Sequence, residues 1–323
     1  MTIIIAEAGS NHQQSFTVAK ELIDAAAYSN ANVVKFQLFN AESLYSDKKT
    51  ALYKIFKSIE LNRKWLPDLV KYSKKKNLSF CCSFFDVKSL NFLKKLNVSH
   101  LKIASSELTN LNLLSKLGNN DKYLYLSTGM ADLSDVINSI NFLKQINNSK
   151  ITIMQCSSIY PSKHIDANIN VIKLYKTVFP DDTIGYSDHT LDNVSAIAAI
   201  ALGAEVFEKH FTLDKKLNGP DHKYAFEPNE LKRYVQDLKN TKKSLGDHKK
   251  LFLNKERLSS RREGIFAKKN IKSGDYLRSN NILLNSPPIG IDAKFSSLIS
   301  NFRTKKNIKS GTPIFWKDLE IKK

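Results

Sequence analysis

Cysteine is scarce in this 323-residue chain. Cys81, Cys82 and Cys156 are the only three, all fall inside stretches that read as strands, and none has the spacing of a metal knuckle. Long apolar runs are absent too, since no uninterrupted segment approaches the length of a membrane span. The opening Met1-Thr2-Ile3-Ile4-Ile5-Ala6-Glu7 lacks the basic region, long apolar stretch and cleavage site of a signal peptide. A cytoplasmic protein with no membrane contact is expected. Acidic residues are outnumbered, 31 against 50 Lys and Arg, for a net charge of +19. The lysines are spread through nearly every segment without aromatic residues grouped among them. That pattern suits attraction of small anions and argues against nucleic-acid recognition.

What is present is a regular alternation of short apolar runs and amphipathic stretches. Strands are expected at 3–8, 33–39, 78–85, 100–105, 122–128, 151–156, 183–187 and 204–211. Helices are expected at 16–29, 50–76 with a break near Asn62, 86–96, 133–146, 169–179 and 227–245. Eight strands alternating with helices over about 245 residues match a (β/α)₈ TIM barrel in count and length. An open doubly wound sheet would have the same layout. Residues 246–262 turn basic and lose periodicity, as a linker arm would. Residues 263–323 hold short extended segments punctuated by Gly and Pro, a small β-rich domain. Its core is thin enough that it is expected to lean on the barrel or on a second subunit.

Two stretches organise the chemistry: Tyr186-Ser187-Asp188-His189-Thr190 and Val206-Phe207-Glu208-Lys209-His210-Phe211-Thr212. Each is an apolar strand ending in charge and imidazole. His189 and His210, with Asp188 and Glu208 beside them, could converge on one divalent metal; alternatively they merely close hydrogen bonds at strand ends. Other strands end the same way. Glu7, Asn11, Lys35, Gln37, Lys102, Glu107, Ser127, Thr128, Ser158 and Tyr160 all fall late in a strand or in the turn after it, which in a barrel is the carboxyl rim where sites are built. Lys35 and Gln37 share a strand face by the two-residue period, so together they need a polar partner inside. Lys35, Lys102, Ser105, Ser127 and Thr128 form suitable company for a phosphate. A metal on the histidines would be a Lewis acid for a carbonyl, and Glu7, Glu107 and Glu208 supply carboxylates for sugar hydroxyls or water. The set points to joining or cleaving a phosphorylated small molecule at a carbonyl.

The chain resembles the sialic acid synthase family, the phosphoenolpyruvate-condensing enzymes that make nine-carbon keto-sugar acids such as N-acetylneuraminate, legionaminate and pseudaminate. The matching stretches run through the whole barrel in order: Ala6-Glu7-Ala8-Gly9-Ser10-Asn11-His12, Val34-Lys35-Phe36-Gln37, Leu101-Lys102-Ile103-Ala104-Ser105-Ser106-Glu107, Leu126-Ser127-Thr128-Gly129-Met130, the two histidine-bearing stretches, and Gly219-Pro220-Asp221-His222. The tail resembles the family's SAF (antifreeze-like) domain, especially Ala267-Lys268-Lys269-Asn270-Ile271-Lys272-Ser273-Gly274-Asp275.

The resemblance implies condensation of phosphoenolpyruvate with an open-chain N-acylated hexosamine, releasing phosphate. It makes His189 and His210 the ligands of Mn2+ or another divalent metal. Lys35, Lys102, Ser105 and Ser127 would contact phosphoenolpyruvate, with Gln37 nearby; Glu107, Tyr160 and Asp221 would line the region shared with the acceptor; Glu7 would stand near the metal and the reacting carbons. Ser158, Tyr186 and Glu208 join the expected substrate-binding set. A homodimer with swapped C-terminal domains is implied as well.

Four departures concern the sugar more than the reaction. The family's tail-domain arginine, before a proline, is replaced here by Ser286, which lacks the planar charged fork, unless Arg278 or Arg303 stands in. Ser158 replaces a frequent asparagine, Ser83-Phe84-Phe85-Asp86 replaces Thr-Pro-Phe-Asp, and Glu263-Gly264 replaces a serine and an aliphatic residue. A surface-polysaccharide sugar of the legionaminic type fits these departures better than plain N-acetylneuraminic acid. Another phosphoenolpyruvate-dependent aldolase-type synthase of the same barrel superfamily, or a non-catalytic glycan-binding or scaffold protein, would be the alternatives.

Overall fold

The computed structural model describes residues 2–118, 122–146, 150–251, 253, 255–256 and 261–321. It divides into two compact units, Met1–Gly246 and Asp247–Lys323.

In the first unit eight parallel strands close into a barrel in sequence order: β1 (Ile3–Gly9), β2 (Val33–Leu38), β3 (Ser79–Phe84), β4 (His100–Ile103), β5 (Tyr123–Ser127), β6 (Lys150–Cys156), β7 (Thr183–Asp188) and β8 (Val206–His210). Pairing of β1 with β8, from Ile3 opposite Val206 to Glu7 opposite His210, seals the ring. The TIM barrel is therefore present, and the open doubly wound sheet is excluded.

Local chemistry sets the helix ends. Ser15 accepts the Val18 N–H at the start of the helix Phe16–Tyr28, and Asp86 accepts the Ser89 N–H before the helix Val87–Lys95. Each such cap is worth about 1 kcal/mol. The expected break near Asn62 is real: Ala51–Ser58 and Leu66–Lys75 are separate helices, and the Asn62 side chain caps a 3₁₀ turn between them. Glu227 and Glu230 form a reciprocal capping box for the last barrel helix, Pro228–Leu245.

The barrel strands are apolar on both faces. Outward residues such as Ile4, Val34, Phe36, Leu101, Ile153 and Phe207 pack into the helix layer. Inward, Ile5, Val33, Cys81, Tyr125, Met154 and Val206 fill the lower interior as a dry floor. The residues that line the cavity at the mouth stand above that floor, and the floor's imidazole, His100, is bonded to the Tyr125 hydroxyl.

The second unit has two antiparallel pairs: β9 (Gly264–Ala267) with β10 (Ile282–Asn285), and β11 (Phe302–Thr304) with β12 (Leu319–Ile321). Its core is indeed small, built from Ile265, Ala267, Ile271, Leu277, Ile291, Ile299, Ile308, Ile314 and Leu319. Gly290 sits at φ +81° against Ile314, whose carbonyl oxygen would lie 2.2 Å from any added Cβ, so no other residue fits there. Of the arm expected at 246–262, residues 252, 254 and 257–260 lie outside the described residues. Ser286 donates its hydroxyl to the Arg262 carbonyl at 3.1 Å. Arg303 lies 4.5 Å from the Tyr276 ring centroid and donates to its hydroxyl at 3.0 Å, and Arg278 lies over the same ring at 5.7 Å.

Candidate active site

The period of two along each strand carries chemistry to the barrel mouth. One step above the apolar floor, the inward positions are Glu7, Lys35, Ser83, Lys102, Ser127, Cys156, Ser187 and Glu208. Strand register places Glu7 beside Lys35, Ser83 beside Lys102 and Ser187 beside Glu208. All eight line a cavity of about 470 Å³, within the usual range for a small-molecule site.

The layer's centre is a chain of buried charges. Lys35 Nζ lies 2.9 Å from Glu7 Oε1 and 3.4 Å from Glu208, and Lys102 Nζ lies 3.4 Å from the other Glu208 oxygen. Lys35 also donates to Ser83 at 3.1 Å, Lys102 to Ser127 at 2.6 Å, and Gln37 to Glu7 Oε1 at 2.7 Å. Burial alone would depress the Lys35 ammonium, but Glu208 and Glu7 outweigh it and raise its pKa. The two carboxyls are driven apart. Burial raises Glu7, and the neighbouring Glu208 charge adds to that against the pull of Lys35. Glu208 is also buried, yet Lys102 and Lys35 hold it at about 2. One carboxyl is a fixed anion and the other a group that can take up and release a proton, the division of labour used by acid–base sites.

His189 and His210 meet at the ends of β7 and β8, beside Glu7 and Glu208, with ring centroids 5.5 Å apart. Nδ1 of His189 lies 2.6 Å from the Ser157 carbonyl oxygen. It must therefore be the donor there, which leaves Nε2 as the nitrogen a metal would take from the neutral ring; burial lowers the ring's pKa, but Cys156 and the Ser157 carbonyl outweigh it and raise it. His210 is pushed down to about 3, chiefly by burial, so it stays neutral. Its Nδ1 is buried without a hydrogen-bond partner, as are Glu7 Oε2 and Ser158 Oγ. Orphaned atoms of this kind cost about 1–3 kcal/mol each unless a ligand meets them. Two imidazoles side by side fit a first-row divalent cation as a partial ligand set. Among the described residues no group of three His, Cys, Asp or Glu side chains is arranged to hold a metal, so the remaining positions would fall to water or substrate.

Around the histidines the walls are aromatic and acidic. The Tyr160 ring packs on His189 at 4.1 Å between centroids, and Tyr224 lies 5.3 Å from His210. Asp221 Oδ2 lies 3.9 Å from His210 Nδ1. At β5 the turn is tight: a Cβ on Gly129 would meet Ser158 Oγ at 2.2 Å and Ser105 Oγ at 2.9 Å, and the Gly129 N–H donates to Ser105 Oγ at 3.0 Å. Only glycine lets those two hydroxyls share the rim.

The cavity thus gathers Glu7, Lys35, Gln37, Lys102, Ser105, Ser127, Ser158, Tyr160, His189, Glu208, His210 and Asp221. Five expected residues, Tyr186, Glu107, Asp188, Thr128 and Asn11, are not among its walls; Asn11 donates to the Phe211 carbonyl at 2.9 Å. Tyr186 points to the helix side of β7 and belongs to the outer core; the inward neighbour is Ser187. Glu107 sits in a 3₁₀ turn beyond β4 and accepts from Asn110 at 2.8 Å. Asp188, expected beside the metal, instead pairs with Lys209 on the helix side, and the Thr128 hydroxyl is taken by Met154 O and Tyr175. Ser83, Cys156, Ser187, Ser10 and Tyr224 were not singled out from the sequence. The register partners of Lys102 and Glu208 would have revealed Ser83 and Ser187.

The NeuB family model matches residues 22–250 and the SAF domain model residues 262–320. The chain is 38% identical to an N,N'-diacetyllegionaminic acid synthase of Campylobacter jejuni, covering 94% of this chain and 96% of that protein. It is 32% identical to the N-acetylneuraminate-9-phosphate synthase of Mus musculus, covering 85% and 80%. The solved N-acetylneuraminic acid synthetase of Leptospira borgpetersenii superposes with a TM-score of 0.75 at 36% identity, covering 79% of this chain and 89% of that one.

Proposed function

This chain belongs to the NeuB family, and on that premise we propose that it is a sugar acid synthase. It condenses phosphoenolpyruvate with an open-chain N-acylated hexosamine to give a nine-carbon 2-keto acid of the sialic or legionaminic type, with release of phosphate. The observation that carries this reading is the buried run Glu7–Lys35–Glu208–Lys102, ringed by serines and standing beside two imidazoles.

Lys35 and Lys102 bind the anionic groups of phosphoenolpyruvate, with Ser83, Ser105 and Ser127 supplying hydroxyls. Tyr160 and Asp221 face the acceptor. The methylene carbon of phosphoenolpyruvate attacks the acceptor aldehyde; the alkene electron pair becomes the new carbon–carbon bond, and the aldehyde oxygen takes a proton. Positive charge develops at the former enol carbon, where the fixed Glu208 carboxylate stabilises it. Water adds there, Glu7 takes one of its protons, and the carbon–oxygen bond to phosphate breaks as the other proton passes from the new hydroxyl to the departing phosphate, leaving the keto group. Gln37 holds Glu7 Oε1 so that the other oxygen faces the water. Holding both reactants in one dry cavity removes much of the entropic barrier.

Three finer elements complete the proposal. His189 and His210 would hold Mn2+ or another divalent cation, which when bound supplies Lewis acidity to the acceptor carbonyl. The protein is a homodimer whose C-terminal units are exchanged, a reading supported by the small core of residues 263–323. It works in the cytoplasm, where phosphoenolpyruvate is made and where three reduced cysteines are ordinary. The division into a barrel at 1–245, an arm at 246–262 and a SAF domain at 263–323 belongs to the same reading. Among the described residues no helix is long and apolar enough to cross a membrane.

The test is phosphate release in the presence of manganese. It should require both phosphoenolpyruvate and an N-acyl hexosamine, with a nine-carbon acid of matching mass. Phosphate release that ignores the sugar would sink the assignment.

A further inference from the structure

We propose that one face of the second unit, a cluster of six lysines supplied by a repeated stretch of sequence, docks on an anionic lipid surface. The contact is independent of the reaction and sets where the protein sits.

The second unit carries one stretch twice. Lys268-Lys269-Asn270-Ile271-Lys272-Ser273-Gly274 recurs letter for letter as Lys305-Lys306-Asn307-Ile308-Lys309-Ser310-Gly311. The copies lie side by side and antiparallel, with Ile271 and Ile308 exchanging backbone hydrogen bonds at 2.9 and 2.8 Å. Their side chains reciprocate. Asn270 Oδ1 receives the Ser310 N–H at 2.9 Å, and Asn307 Oδ1 receives the Ser273 N–H at 2.8 Å. The Ser273 hydroxyl donates to the Lys305 carbonyl at 2.9 Å, and the Ser310 hydroxyl to the Lys268 carbonyl at 3.1 Å. Ile271 and Ile308 turn into the small core. The scaffold thus uses the isoleucines, asparagines and serines of both copies, and the lysine side chains are left to solvent.

All six lysines are exposed. Among the described residues only Lys306 of the six meets a carboxylate, Asp318 at 2.7 Å. Asn281 holds the matching place in the other copy: its carbonyl takes the Lys268 N–H as the Asp318 carbonyl takes the Lys305 N–H. Asp275, which follows the first copy, turns Oδ2 back to the Lys272 N–H at 3.0 Å. Like charges gathered this way repel one another, and a countercharge from outside relieves them.

The chemistry selects the partner. Lysine is a point charge without the planar fork of arginine. Neither copy holds an arginine or an aromatic ring, and both are extended rather than helical, so nothing in them reads or stacks a base. A sheet of anionic headgroups needs only clustered lysines, about four to eight of them. Phe315 and Trp316, 37% and 43% exposed, open the turn that holds Asp318, and such rings suit the headgroup level. The β9–β10 ladder runs from Asn285 opposite Gly264 to Ile282 opposite Ala267, and Lys268 continues from the Ala267 end. The lysine face therefore lies at the other end of that ladder from Ser286. Absence of long apolar runs speaks only to spanning helices, and a docking face needs none.

The experiment is flotation of the full chain with vesicles of phosphatidylcholine alone and of equal parts phosphatidylcholine and phosphatidylglycerol. Binding should require the anionic lipid and fall at least tenfold at high salt. A variant combining Lys268→Gln, Lys272→Gln, Lys305→Gln and Lys309→Gln should bind at least tenfold more weakly, with an unchanged urea midpoint showing the fold intact. A control combining Lys71→Gln, Lys75→Gln, Lys88→Gln and Lys95→Gln removes the same charge from exposed barrel positions and should change binding less than twofold. Equal losses in the two variants would assign the binding to net charge and overturn the docking face. So would a parent that ignores anionic vesicles or binds phosphatidylcholine as well. Tighter binding to duplex DNA or RNA than to the vesicles, lost in the first variant, would give the face to nucleic acid and overturn the lipid assignment.

Discussion

Lys209 and Asp188 meet across the β7–β8 pair, Nζ to Oδ2 at 3.1 Å, with both side chains almost fully shielded from water. The same ammonium donates to the Thr190 carbonyl and lies 4.3 Å from the Phe226 ring centroid. Each member of the pair immediately precedes one of the two site histidines, so the ion pair ties the two strand ends one residue below the imidazoles. Lys209→Met leaves Asp188 buried and uncompensated. A loss of about 3–5 kcal/mol in urea unfolding is expected. Lys209→Met combined with Asp188→Leu removes both charges and should recover most of it. A single variant as stable as the parent would contradict this account.

Glu7 governs the pH response of turnover. Its carboxyl is raised above the ordinary carboxylate range, first by burial and then by Glu208. As a base it must be ionised, so kcat should climb with pH through that raised value. Glu7→Gln should lower kcat by about 10²–10⁴ and abolish the rising limb. A rising limb that persists in the variant would assign it to another group.

Chelation should stop phosphate release, and added Mn2+ should restore it. Direct titration followed by electron paramagnetic resonance should show His189→Ala and His210→Ala each binding Mn2+ at least tenfold more weakly. Undiminished binding in the double variant would place the cation elsewhere.

His100 makes the fold sensitive to acid. Its Nδ1 lies 2.8 Å from the Tyr125 hydroxyl and its ring stacks on Tyr123 at 4.6 Å. Burial holds it at about 4, below the 6.5 of a free imidazole. The unfolded chain therefore binds a proton more readily than the folded one as pH falls. The stability this residue contributes is complete above pH ~6.5 and is lost as pH drops towards 4, by up to about 3 kcal/mol. His100→Gln should flatten that part of the stability profile, and unchanged steepness would exclude His100 as its source.

The barrel was readable because each strand is a compact apolar run, and strand ends fell within about two residues of the observed limits. The charged members of the site were readable because a lysine or glutamate inside such a run has no bland explanation. Small neutral residues gave no such signal: Ser83 and Ser187 are ordinary in strands, and only their registers with Lys102 and Glu208 betray them. Tyr186 faces the helix layer, one step of the pleat from the cavity. Glu107 lies in a 3₁₀ turn beyond β4, where strand parity no longer says which way a side chain faces. The helix Val194–Ala201 was not singled out, since Val-Ser-Ala-Ile-Ala-Ala-Ile-Ala has almost no polar face to mark a period.

On β7 and β8 the reactive and the structural letters alternate along one line of text: Ser187 and Glu208 inward, Asp188 and Lys209 outward, His189 and His210 following them. The staple between the strands therefore lies on the face opposite the reacting groups, so a change at the rim, as at Ser158, leaves Asp188 and Lys209 where they are.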